Sequence, residues 1–311
     1  MSKLVKIEYE RDMPEVNRAL LEGCIDIHLH PGPSTWLGLV TTKATGRLLN
    51  AFELAEYARE VGMRAVAYKN HDYSTAPIAW LVRKIVPGID VFGGVVLNYP
   101  VGGLNPTVID LLMRYDGLGK IVWLPTKDAA ADQQKSAINR RKEFGHPEGI
   151  SIIKNGALVP EMEKILDLIA EHNLVLCTSH IGLEEKKVLV EETKRRGLKK
   201  VVITHPEGIM SDEPDGLEIL KKFVDNGAYL EFCGGSVPMR SPAWPTEKYV
   251  EIIDAVGPEH CIMTTDRGQI YLPSPVDSYR CFISQLQQLG VDDDVIYTMA
   301  KEVPAKLLDL E

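Results

Sequence analysis

The sequence predicts an α/β fold, a (β/α)8 TIM barrel with an insertion after the fourth strand. Three observations carry that expectation. Short runs rich in Val, Ile and Ala recur eight times, an amphipathic stretch follows each run, and the repeat fills about 250 residues, the usual length of such a barrel. An open, doubly wound sheet is the alternative, because a strand count does not close a sheet.

The first run, "CIDIHLH" (24–30), alternates Ile25, Ile27 and Leu29 with Asp26, His28 and His30 before Pro31-Gly32-Pro33 stops it. That is the period-two pattern of a strand ended by breakers, and it sets His28 and His30 on one side. Further strands are expected at 64–71, 90–98, 120–126, 174–180, 200–205, 228–234 and 261–266. Helices are expected at 51–62, 76–86, 106–115, 160–173, 184–196, 215–226, 246–256 and 277–289. In 160–173, Met162, Ile165, Leu166 and Ile169 mark one face and Pro160 suits a first turn. Strand parity predicts which side chains enter the barrel: Ala65, Ala67 and Lys69 with His71 on the second strand, and Leu176 and Thr178 with His180 on the fifth.

Two segments lie outside the repeat. Residues 1–20 form an N-terminal extension, and the amphipathic stretch Met13–Leu21 is expected to close the bottom of the barrel or join a subunit contact. Residues 127–159 form a lid-like insertion that begins polar and basic ("KSAINRRKEFGH") and ends in "ISIIKNGALV", where Asn155-Gly156 is a two-residue hairpin signal. With no linker and no internal repeat, residues 1–311 are expected to form one domain.

Bulk properties exclude several classes. At 311 residues and 45% hydrophobic the chain can bury a large core, and a net charge of -9 argues against nucleic acid. The charged opening "MSKLVKIEYERDM" lacks an apolar signal core, and no later run is long enough to span a bilayer. Five cysteines without CxxC spacing suit reduced thiols, four of them in or beside apolar runs. A cytoplasmic, homo-oligomeric protein acting on a small molecule is the expectation.

Five of the eight histidines fall at expected strand ends: His28 and His30 on the first, His71 on the second, His180 on the fifth and His205 on the sixth. Asp266 ends the eighth. In a barrel these ends share one mouth, where active sites are built. His146, His172 and His260 fall elsewhere and are expected to be structural or on the surface.

"DIHLH", "TSH", "ITHP" and "TTD", in this order over residues 24–266, resemble the amidohydrolase superfamily of metal-dependent hydrolases. The resemblance implies that His28 and His30 bind a divalent metal, that His180 and His205 complete or flank the site, and that Asp266 is both ligand and proton carrier. It looks similar to poorly characterised branches rather than to the well-known hydantoinases or deaminases, so no substrate comes with it. One departure stands out. Binuclear members bridge two ions with a carboxylated Lys or a Glu at the fourth strand, which here ends "WLPT". Lys127, Lys69 and Glu231 are the alternatives, or there is no bridge and a single ion.

Imidazole and carboxylate ligands suit Zn²⁺ first, with Mn²⁺, Fe²⁺ or Ni²⁺ as alternatives. An ion with an open position lowers the pKa of water to about 7, and Asp266 is placed to carry the proton, with His205 next in line and Lys69 also in the catalytic set. Lys69, His71, Lys127, Arg240 and Arg267 are the expected substrate contacts, and their cations point to a carboxylate-bearing substrate. The leading expectation is hydrolysis of an amide, cyclic amide or lactone. A metal-dependent decarboxylase is the alternative, and a non-catalytic metal-binding barrel the second alternative.

Overall fold

The computed structural model describes residues 19–34, 47–135 (of 133–135 the backbone alone), 148–234, 246–270 and 272–310. The eight expected strands are present: β1 (Ile25–Leu29), β2 (Ala65–Tyr68), β3 (Asp90–Val96), β4 (Gly119–Trp123), β7 (Val175–Cys177), β8 (Val201–Thr204), β9 (Ala228–Cys233) and β10 (Cys261–Thr264). They lie parallel in the order β1-β2-β3-β4-β7-β8-β9-β10. The ends of that row meet. The Asp266 N–H donates to the His28 carbonyl at 2.8 Å, and the His30 N–H donates to the Arg267 carbonyl at 2.7 Å. The sheet is therefore a barrel and not the open alternative. Gly268 is required at this seam, with φ +149° and a space in which a Cβ would stand 1.9 Å from the His30 carbonyl oxygen.

The sequence pattern explains the layers. Ile25, Ile27, Ala65, Ala67, Ile121, Trp123, Val175, Cys177, Val202 and Ile262 share the barrel interior with Val303 and Leu307 of the C-terminal helix Val303–Leu308. That helix fills the base, a role the sequence had offered to 13–21, of which 13–18 lie outside the described residues. Trp123 fits because β3 carries Gly94 opposite, where a Cβ would stand 2.5 Å from the indole ring. The alternate residues face the helices: Leu29, Val66 and Tyr68 on one side, and Val122, Leu124 and Leu176 against Met162, Ile165, Leu166 and Ile169 on another. Burial of such a side chain stabilises by about 1.5–3 kcal/mol.

Two parity expectations need correction. β1 does not alternate strictly: Asp26 pairs with Val66 but Leu29 pairs with Tyr68, so one extra residue is accommodated between them. This bulge lets Ile27 and His28 both turn inward and leaves Asp26 on the outer side. On the fifth barrel strand, β7, Val175 and Cys177 are the inward pair and Leu176 points out, because the strand ends at Cys177 and Ser179 turns with φ +50°.

Within 127–159 the structure adds a short helix, Ala130–Lys135, and the hairpin β5 (Ile153–Lys154) to β6 (Ala157–Leu158). Asn155 and Gly156 both have positive φ, as a tight primed turn demands. Residues 136–147, with His146 and most of the basic stretch, lie outside the described residues, as do 1–18. No described helix is long and apolar enough to cross a membrane.

Candidate metal centre

The inward side chains at the mouth converge on Asp266. Its backbone takes the left-handed conformation at φ +50°, which turns the carboxylate in over the strand ends. His28 Nε2 lies 3.3 Å and His30 Nε2 2.9 Å from the same oxygen, Asp266 Oδ1. The other oxygen, Oδ2, faces His205 Nε2 at 3.8 Å. His205 itself has φ +59° and stands between β8 and the helix Pro206–Asp212, with Nδ1 3.2 Å from Glu207 Oε1.

A lower tier orients this upper one. Glu231, wholly buried on β9, places Oε1 2.8 Å from His28 Nδ1 and also accepts from the Thr264 hydroxyl at 3.1 Å. Burial alone would raise the Glu231 pKa, but His28 and Lys69 outweigh it and hold the carboxyl at about 2. Nδ1 of His28 is thus placed to donate to Glu231, which leaves Nε2 as the nitrogen toward Asp266 and Lys69. Lys69 is also buried, with Nζ 2.9 Å from His28 Nε2 and 5.4 Å above the Trp123 ring. On the far side His30 stacks on His71, ring centroids 4.9 Å apart, and His71 Nδ1 meets the Thr126 hydroxyl at 2.9 Å. Burial pulls His30 down to about 3 despite its Asp266 partner, and pulls His71 well down too, so both rings are neutral at neutral pH. His28 runs the other way: burial and Lys69 lower it, but Glu231 and Asp266 leave it raised.

His180 is set apart. Its Nδ1 lies 3.4 Å from Asp132 Oδ1 on the helix Ala130–Lys135, and its ring centroid is 5.6 Å from that of His205. His180, His205 and Asp266 line a cavity of about 580 Å³ together with Ser179, Asp132 and Lys186. The expected substrate cations are spread out. Lys127 pairs with Asp72, and Arg267 is fully buried with Nη2 donating to the Gly234 carbonyl at 3.1 Å. Arg240 lies outside the described residues. Of the histidines expected to be structural or on the surface, His172 caps the helix Pro160–Glu171 and His260 sits just before β10, at the opposite end of the strands from the mouth.

Two groups of described side chains bring three ligand atoms within 4.8 Å of one another: His28, His30 and Asp266, and His28, Glu231 and Cys233. The first fits a divalent ion, since two imidazole nitrogens and a carboxylate oxygen meet where the strand ends converge. The second shares its nitrogen with the His28–Glu231 hydrogen bond and reads as support for the first.

A family model matches residues 23–231, described as a family of unknown function, DUF6282. The chain belongs to this family. No curated protein matches its sequence. Among solved structures it resembles an amidohydrolase from Burkholderia multivorans with bound zinc, at 12% identity and a TM-score of 0.60, covering 93% of this chain and 99% of that one. A probable 2-pyrone-4,6-dicarboxylic acid hydrolase from Acinetobacter baumannii with citric acid bound gives 16% identity and a TM-score of 0.55 over 92% and 99%. A 2,6-dihydroxybenzoate decarboxylase from Rhizobium gives 9% and 0.58 over 93% and 99%. The amidohydrolase resemblance read from the motifs thus holds at the level of the fold.

Several residues at the site escaped the sequence. Thr126, Asp132 and Glu207 sit beyond strand ends, where no periodicity signals direction. Arg47 is buried on a segment bridged to Gln269, and its charge helps lower His30 and His71. Its only signal is a charge near an expected helix start.

Proposed function

We propose that this DUF6282 member is a metal-dependent hydrolase that cleaves an amide, cyclic amide or lactone bond in a small, carboxylate-bearing substrate. The observation that carries the reading is the division of Asp266. One carboxylate oxygen faces His28 and His30, while the other faces His205 beside the cavity. In this reading His28, His30 and Asp266 hold one divalent ion, Zn²⁺ first, with His205 and His180 flanking it. The ion would supply a Lewis acid and a water of lowered pKa.

The chain's own residues do the rest. Asp266 Oδ2 takes the proton of the attacking water and returns it to the leaving group. His205, held by Glu207, is the second proton carrier. Glu231 fixes the His28 tautomer, and Lys69 supplies positive charge beside the same ring. His71 and Lys127, with Arg240 as a further cation, are the substrate contacts of the proposal, while Arg267, expected among them, is buried on the Gly234 carbonyl. Residues 127–159 act as the lid over one domain spanning 1–311. The protein is a cytoplasmic homo-oligomer in this reading, and its five free cysteines suit a reducing compartment.

The test is metal analysis of protein purified without chelator, then a screen of N-acyl amino acids, cyclic amides and lactones carrying a carboxylate. A second reading, metal-dependent decarboxylation, is favoured by the fold shared with the Rhizobium decarboxylase. Carbon dioxide as product without incorporation of labelled water would select it. Protein that binds no divalent ion and turns over none of these compounds would overturn both.

A further inference from the structure

We propose that Asp26, which the chemistry above leaves unused, is a positioning residue that aims His28 and Asp266 at each other. The inference rests on the metal-centre reading and concerns the barrel seam. β1 and β10 are the two ends of the sheet order, and no regular ladder joins them. Yet His28 and His30 stand on one side of that gap and Asp266 on the other. Two backbone hydrogen bonds, from Asp266 N to His28 O and from His30 N to Arg267 O, cross it at the level of the site.

Asp26 supplies the side-chain half of the clamp. Its Oδ2 accepts from the Thr265 hydroxyl at 2.5 Å, and its Oδ1 accepts from the His28 N–H at 3.0 Å and the Thr265 N–H at 3.4 Å. The carboxylate is 1% exposed, on the outer side of the strand. The His28 bond closes an Asx turn across the bulge. The extra residue in β1 takes the His28 N–H out of the ladder, and the Asp26 side chain is what receives it. The Thr265 bonds hold the residue before Asp266, whose left-handed backbone swings its carboxylate inward. One buried carboxylate thus ties the turn that directs His28 to the turn that directs Asp266. Next to it the Tyr279 hydroxyl lies 3.2 Å from both the Ile25 and the Met263 carbonyl oxygens, which ties the same two strands one step lower.

The experiment compares Asp26→Ala, Asp26→Asn and Thr265→Val with wild type by two readouts: the ring-nitrogen NMR shifts of His28 in metal-free protein, and Zn²⁺ affinity by competition with a chelator. Asp26→Ala and Thr265→Val are expected to disturb the His28 tautomer and weaken Zn²⁺ binding by roughly 10–100-fold, the scale for groups that orient metal ligands. Asp26→Asn, which keeps an acceptor oxygen, should recover most of the loss. Thr75→Ala is the control, since it removes a buried hydroxyl bound to the Tyr68 carbonyl away from the seam. It should lower stability with little change in affinity. Asp26→Ala or Thr265→Val with wild-type His28 shifts would overturn the proposal, as would a Thr75→Ala variant that loses as much affinity. If wild type itself binds no Zn²⁺, the metal reading falls, and the NMR shifts still decide whether Asp26 positions His28. Should Asp26→Ala fail to fold, Thr265→Val breaks the same clamp by deleting one hydroxyl.

Discussion

The two halves of the barrel mouth are built differently. Around β1, β9 and β10, the side chains of His28, His30 and Glu231 are essentially solvent-free and bond to one another and to Asp266. Around β7 and β8, His180 and His205 are partly open to the cavity, and each is steadied by a carboxylate, Asp132 from the insertion helix Ala130–Lys135 or Glu207 from the helix after β8. Asp266 belongs to both halves. Buried, mutually bonded groups hold a geometry without reorganising, which a metal cradle needs. Open groups held by longer contacts, such as His205 Nε2 at 3.8 Å from Asp266 Oδ2, can turn toward something that comes and goes. In the proposed reading the first half would hold the metal and the second would handle the substrate.

Breaking the closed half should have the largest effect. His28→Ala or His30→Ala should abolish turnover while circular dichroism reports an intact fold, because the strand below is held by Ile25 and Ile27. Either variant with full activity would remove that residue from the metal set.

Asp266→Asn cuts between the halves. Asn keeps the shape and one ligating oxygen but cannot accept the proton. The variant should keep much of its metal and lose on the order of 10²-fold or more in kcat. The variant's pH–rate profile should also differ from that of wild type, since the group proposed to carry the proton is gone. Wild-type turnover with an unchanged profile would pass the base role to His205.

Glu231→Gln loosens the closed half from below. Its amide is a weaker acceptor for His28 Nδ1, and metal affinity should drop by about 10–100-fold with the fold intact. Unchanged affinity in a chelator competition would mean that the His28–Glu231 bond does not orient a ligand. Lys127→Ala, at the rim and paired with Asp72, should do least: a few-fold rise in KM with kcat nearly constant. A large fall in kcat would place Lys127 among the catalytic groups.

Much of this contrast could be read in the chain, and the rest has identifiable causes. Long periodic helices such as Pro160–Glu171 and strands ended by Pro-Gly or His-Pro were legible because pattern and breaker agree. The convergence of His28, His30 and Asp266 followed from their places at strand ends. The bulge in β1 was not legible, since "CIDIHLH" alternates perfectly on paper and only the pairing with β2 reveals the extra residue. β7 is three residues long, too short for parity to outlast the turn at Ser179. Glu231 stood inside an apolar run as one of three bridge candidates, and its contact with His28 depends on barrel closure, which no local pattern encodes. The partner of His180, Asp132, came from the insertion for the same reason. The C-terminal helix in the barrel base carried no sign of where it would dock.

The division between the halves is tested most directly by one side-by-side measurement: bound metal per chain in wild type, His30→Ala and His180→Ala, each purified without chelator and reloaded with Zn²⁺. One ion per chain is expected in wild type, little or none in His30→Ala, and nearly the full ion in His180→Ala, whose Nδ1 faces Asp132. Loss of the ion from His180→Ala as complete as from His30→Ala would contradict that division and make the open half part of the metal cradle.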